Sequence, residues 1–230
     1  MNAITEYLKA GVDIIYSPQK TFEHLKEKDL RSPWLMLVVL MVFSTFISLA
    51  AAPIYMKLFQ AEAANMENMP QMNITFFYVR AFITGLIAFP LMLFIEALVY
   101  YIFAPLADAE LSYMDMFQVV VYSSVITVIA QFLKVSLVAL TNNVFITFSL
   151  AVFLPHDEVS KTFIGRFLAQ LDLFAIWSVY IIGVGMAVKG NSRKEKTLLV
   201  TYSVWLVWKL FVAVLGKYAN AGRNAGNAAG

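Results

Sequence analysis

The feature that most limits this chain is a set of apolar runs, each about as long as a helix needs to cross a bilayer. Spanning the hydrocarbon core takes about 20 mostly apolar residues. The run from Trp34 to about Lys57 carries no charge before that lysine. A second extends from Ile74 to Phe103, long enough to tilt or kink, with Pro90 in mid-run, where neighbouring helices re-satisfy the carbonyl that proline frees. A third, from about Met116 to Leu140, holds Gln131 and Lys134. The fourth is Leu171 to Val188 and the fifth Leu198 to Leu215. Composition agrees: 60% of residues are hydrophobic and 14% charged, against about 45–50% and 25% in soluble domains. Mean hydropathy is +0.72. So much apolar surface cannot be hidden inside a water-facing globule of this size. The expected fold class is an all-α integral membrane protein with five transmembrane helices.

One apolar stretch is left out of that count. Val144 to Leu154 has 11 residues, too few to cross, and Pro155 ends it. It reads as an extension of the third span or as a re-entrant piece. The distribution of basic residues supports five spans. Lys9, Lys20, Lys26, Lys28 and Arg31 precede the first run, and Lys189, Arg193, Lys194 and Lys196 follow the fourth. An odd count puts all nine on one side, the cytoplasm, leaving Lys57, Lys161, Arg166, Lys217 and Arg223 on the other. The arrangement is N-in, C-out. Thirty-three residues with five acids come before the first run, and that run is span-length, so an uncleaved signal anchor is expected despite the small residues at 49–52.

Three regions follow: a cytoplasmic amphipathic segment over 1–33, a five-helix transmembrane domain over 34–216, and a disordered Ala/Gly/Asn tail over 217–230. Within the first, Ile4, Leu8, Val12 and Ile15 recur at helical spacing, an interfacial pattern expected to lie on the headgroups. Ser17-Pro18 is an N-cap followed by proline at the first helical position. The helix it opens has Phe22 and Leu25 on its apolar face, and Lys20, Glu23, Lys26 and Glu27 on its polar one. This segment is either a collar for the bundle or a docking surface for a partner. A second amphipathic stretch, Pro155 to Gln170, is expected at the outer surface.

Ionisable residues inside spans are costly unless paired, solvated or functional. Arg80, Glu96, Lys134 and Lys209 need explaining, with Gln131 beside them in the third span. Arg80, Lys134 and Lys209 fall in the outer halves of their spans, where long side chains snorkel. Asp172 is the natural acidic partner for one of the lysines. Glu96 is about 24 Å along its helix from Arg80, so those two do not pair.

Enzyme chemistry finds no motif. There is no GxSxG and no HExxH, and both histidines, His24 and His156, lie outside the spans. Gly183-Val184-Gly185 partly matches the GxGD of intramembrane aspartyl proteases, but Met186 stands where the aspartate must be. Those glycines read as close-packing positions. The chain has no cysteine, so thiol chemistry and thiolate metal sites drop out together. Met66, Met69 and Met72 have a spacing that soft copper(I) tolerates, but with no histidine nearby the segment reads as an outer loop. No cofactor or metal is expected, and a net charge of +2 gives no reason to expect nucleic acid.

Three stretches together resemble the Yip family of polytopic membrane proteins, known in eukaryotes for interacting with Ypt/Rab GTPases. Pro18, Thr21 and Phe22 look like its proline–threonine–phenylalanine signature ahead of the first span. Tyr122-Ser123 is similar to its Tyr-Ser position in the third span. Asp172 to Trp177-Ser178, running on to Gly185, resembles its fourth-span signature. The resemblance covers residues 12 to 215 and implies five spans, a cytoplasmic N-terminus and no enzymatic activity. It marks Pro18, Thr21, Phe22, Tyr122, Ser123, Asp172 and Trp177 as residues for partner binding. The eukaryotic Asp-Leu-Tyr-Gly-Pro motif is missing, so the chain resembles the bacterial branch, some of whose members resemble accessory subunits of MacB-type ABC exporters. The expectation is an accessory or regulatory multi-pass protein of a bacterial cytoplasmic membrane, bound to another membrane complex and open to homo-oligomerisation. The alternative is a small transporter or channel using the intramembrane charges.

Overall fold

The computed structural model describes residues 3–28, 32–63, 73–143 and 146–228, and among these every extended element is a helix. In chain order they are α1 (Ala3–Asp13), α2 (Pro18–Glu27), α3 (Trp34–Ala63), α4 (Ile74–Ile83), α5 (Phe89–Phe103), α6 (Tyr113–Thr141), α7 (His156–Lys161), α8 (Phe163–Gln170), α9 (Leu173–Lys189) and α10 (Lys194–Ala228). Met66, Met69 and Met72 lie outside the described residues.

Four helices are long and apolar enough to cross a membrane: Trp34–Lys57 within α3, Ile74–Ala107, Tyr113–Thr141 and Lys194–Leu215. The run expected as a fourth span forms α9, which has only 17 residues, about 25 Å of rise. What α9 lacks in length it has in centrality. Ten of its residues are buried, including the unbroken stretch Ile181 to Ala187, because α6, α10 and α2 all pack against it.

The second span is one rod with a repair in it. A π-helical turn, Thr84–Ala88, joins α4 to α5, and Pro90 follows in the first turn of α5. Widening the turn just ahead of a proline removes the clash that would break an α-helix there. Gly85 sits in the π turn so close to α3 that a Cβ would come within 2.4 Å of the Thr45 Cα.

At α6 the ends are fixed chemically. Ser112 and Asp115 form a reciprocal capping box, and Asn142, at φ 52°, closes the other end in a left-handed conformation. That cap settles the reading of Val144–Leu154 as far as residues 146–154 are described: the segment does not extend α6. Leu150 N–H donates to Leu171 O (3.1 Å), Leu173 N–H donates to Phe148 O (3.2 Å), and Phe148 packs edge-on against Phe174 (5.0 Å). The segment is therefore tied to the start of α9.

The stretch 217–228, expected as a disordered tail, continues α10. At the other end, α1 and α2 pack against the rest of the bundle. Of the apolar stripe the spacing marks, Ile4, Leu8 and Val12 are exposed while Ile15 packs against the core, and the opposite, buried side is Ala10 and Gly11 with Ile14 just past the helix end. Helix α2 runs alongside α9, with Phe22 and Leu25 at zero exposure, because packing its apolar face against α9 removes that surface from solvent.

Candidate functional site

The three stretches that carry the family resemblance pack together along α9. Each residue of the proline–threonine–phenylalanine signature has a distinct job. Pro18 occupies the first turn of α2, where its missing N–H costs nothing. Ser17 contributes its carbonyl rather than a side-chain cap: both Thr21 N–H (3.0 Å) and Thr21 Oγ1 (2.9 Å) donate to Ser17 O. Phe22 then lies over Gly185, where an added Cβ would fall 2.7 Å from Phe22 Cε2 and 2.6 Å from Val119 Cγ1. Only glycine at 185 lets α2, α6 and α9 close on one another there.

The Tyr-Ser position supports the same junction from α6. Eleven consecutive residues, Met116 to Ile126, are buried. Tyr122 OH points to Tyr7 O of α1 at 3.5 Å. Ser123 and Ser124 turn their hydroxyls back to Val120 O (2.8 Å) and Val121 O (2.7 Å), satisfying themselves within the helix. Ser178 Oγ of α9 reaches Ser123 O at 3.4 Å.

From α9, Asp172 is the N-cap, its Oδ1 accepting from Phe174 N–H (2.8 Å) and Ala175 N–H (3.2 Å). Trp177 Nε1–H donates to Ile15 O at 3.2 Å, pinning the turn between α1 and α2. At the other end of α2, Lys26 Nζ donates to Val188 O (2.7 Å) and Asn191 Oδ1 (2.6 Å). These two contacts lie 11 residues apart on α9, about 16 Å. Helix α2 therefore covers well over half the length of α9. Of the residues expected to contact a partner, Pro18, Thr21, Phe22, Tyr122 and Ser123 are buried within the bundle and Asp172 is partly so; Trp177 is 40% exposed. All seven lie where the chain's own helices meet one another.

What α2 leaves outward is polar: Gln19, Lys20, Glu23, Lys26 and Glu27 are exposed. A groove of about 390 Å3 opens between this face and the turn after α9, lined by Glu23, Lys26, Glu27, Asn191 and Lys194. The neighbouring turn is locked by charge. Lys189, buried, lies 3.8 Å from Asp115. Asp108, in a left-handed turn, accepts a hydrogen bond from Lys196. That bond, with the charges of Lys196 and Arg193, holds the Asp108 carboxyl below the usual carboxylate range.

The intramembrane polar residues fall into two separate groups. Arg80, Gln131 and Lys134 converge on a cavity of about 460 Å3 between α3, α4 and α6, with Tyr55, Thr84 and Phe77 in its wall. Gln131 is fixed there by α3: Ser44 Oγ donates to its Oε1 (3.1 Å) and its Nε2 donates to Ser48 Oγ (2.9 Å). Glu96 is elsewhere. It lies within electrostatic reach of Lys209, which also feels Asp172 and sits over the Trp205 ring at 5.8 Å. Asp172 comes within electrostatic reach of Lys209, but its carboxylate is engaged as the N-cap of α9. A continuous polar track through Glu96, Gln131 and Lys134 is not formed, because Glu96 is on the α10-facing side of α5 while the other two face α3. Sequence reasoning missed the proximity of Glu96 to Lys209, since the rotation of α5 about its axis is set by packing.

Comparison with known proteins matches the architecture to a family. The Yip1 domain model matches residues 12–216. A membrane protein of Bacillus subtilis, YknW, is 23% identical over 220 residues, covering 90% of this chain and 91% of that protein. No solved structure matches. With the family's three signature stretches packed into a single junction and its domain spanning nearly the whole chain, this protein belongs to the Yip1 family of membrane proteins.

Proposed function

We propose that this protein is a non-enzymatic accessory subunit that binds another membrane complex through the outward face of α2. One observation carries the reading: a helix face bearing Gln19, Lys20, Glu23 and Glu27 is held alongside an apolar helix over about 16 Å. Hydrocarbon is a poor neighbour for such a face, since each charge costs about 2.5–3.5 kcal/mol at a helix centre. A protein surface that supplies hydrogen bonds and counter-charges suits it better. On the other flanks α3, α5 and α10 expose Val38, Val42, Leu98, Ile102, Leu199 and Val207, faces suited to lipid.

In this reading α9 is the fourth of five spans, shortened because its inner half is sheathed by α2 instead of lipid. The N-terminus is cytoplasmic and the C-terminus outside, as the basic residues at 189–196 favour. The host is a bacterial cytoplasmic membrane, and the partner implied by the family resemblance is a MacB-type ABC exporter. Affinity purification in mild detergent tests it. The expected result is co-purification of an exporter permease, reduced by Lys20→Ala/Glu23→Ala; a chain that comes out alone under every extraction condition overturns it.

A further inference from the structure

We propose that the cavity between α3, α4 and α6 is a binding site for the phosphate-bearing headgroup of an anionic membrane lipid. Arg80 and Lys134 come from different helices and line the same space. Neither has an acidic or hydrogen-bonding partner among the described residues. Gln131, the one other strongly polar group between them, is already engaged by Ser44 and Ser48. Two cations in one opening, with no anion to balance them among the described residues, leave a site whose missing component is negative charge.

Depth and wall chemistry select the class of ligand. Arg80 lies six residues past Ile74, at the start of α4, and Lys134 lies seven before Thr141, at the end of α6. Each is therefore about 10 Å inside the same end of the bundle. That is the level to which a headgroup reaches from the interface while its chains continue inward. The rest of the wall is apolar or aromatic, with Phe59, Phe77 and Tyr55 placed for acyl and glycerol contacts. Thr84, first residue of the π turn, also faces the space, so the widened turn shapes one side of it. Free phosphate would satisfy the charges alone; a lipid also uses these walls.

The test uses the full chain in nonionic detergent micelles titrated with dioleoyl phosphatidylglycerol, dioleoyl phosphatidylcholine or inorganic phosphate. The readouts are the unfolding midpoint and the lipid retained in native mass spectrometry. Phosphatidylglycerol is expected to raise the midpoint saturably. Arg80→Gln/Lys134→Gln is expected to weaken half-saturation at least ten-fold, whereas the charge-preserving Arg80→Lys/Lys134→Arg retains most of it. Lys57→Gln, a cation on α3 outside the cavity, is expected to behave as wild type. Equal half-saturation in the neutralised variant and wild type overturns the proposal. So does an equal response to phosphatidylcholine, and so does an equal response to inorganic phosphate, which would make the site one for the free ion. If the double variant does not survive extraction, Arg80→Gln and Lys134→Gln singly must each weaken binding several-fold.

Discussion

The seat of Phe22 on Gly185 permits a sharp test of the α2–α9 contact. Phe22 is fully buried, so Phe22→Ala removes a ring from a filled site, at about 3–5 kcal/mol. Gly185→Ala acts in the opposite sense. Its Cβ would lie 2.6 Å from Val119 Cγ1 and 2.7–2.8 Å from two Phe22 ring atoms. Overpacking of that kind costs about 1–3 kcal/mol, offset by about 1 kcal/mol of helix propensity. The two changes share the Phe22 ring. Removing the ring leaves the new methyl clashing only with Val119, so the double variant should be less destabilised than the sum by about 0.5–3 kcal/mol. Thermal unfolding of the four proteins in one detergent closes the cycle, with about 2–4 °C expected per kcal/mol in a chain of this size. An additive double variant, or a neutral Phe22→Ala, would refute the claim that α2 is seated on α9.

Other consequences are smaller but independent. Gln131→Leu breaks both bonds from α6 to Ser44 and Ser48, and at about 0.6 kcal/mol per interhelical bond in a membrane should lower the same midpoint by a few degrees. Trp177→Phe deletes the donor to Ile15 O while keeping an aromatic ring. It should cost about 1 kcal/mol and speed backbone hydrogen exchange at residues 14–17. For Asp108, a depressed carboxyl pKa means that the stabilisation is present above the ordinary value and is lost as pH falls through the folded one. Asp108→Asn keeps a residue tolerant of the left-handed turn but removes the charge. Wild type should therefore be the more stable at pH 7, with the difference beginning to shrink as pH falls to about 4 and vanishing only below the lowered folded-state value.

Much of this fold is written in apolar run length. The segments that form α3, α4–α5, α6 and α10 exceed span length with few charges, and no competing structure satisfies their backbone in lipid. The start of α2 is equally local, since Ser17-Pro18 sets it. Less legible were features that depend on which way a helix faces. Phe22 and Leu25 identify an apolar face, but nothing in their spacing distinguishes a headgroup surface from a groove on α9. Periodicity marked the stripe Ile4, Leu8, Val12 and Ile15, of which Ile15 turns into the core, and gave no hint that Ala10, Gly11 and Ile14 would be the packed side. The site followed the same rule. The family's signature residues were visible one by one, and only packing revealed that Thr21, Phe22, Ser123, Trp177 and Gly185 form one junction. Arg80 and Lys134 lie 54 positions apart, and their meeting depends on the rotation of α4 and α6.

The reading of α2 as a docking face is tested most directly in native membranes by photo-crosslinking from single positions. A photoreactive residue at Glu23, on the exposed face of α2, should give an adduct with a protein, identified by mass spectrometry as a subunit of a membrane exporter. The same residue at Val42, on the exposed face of α3, should capture lipid. Lipid adducts at both positions would contradict the account.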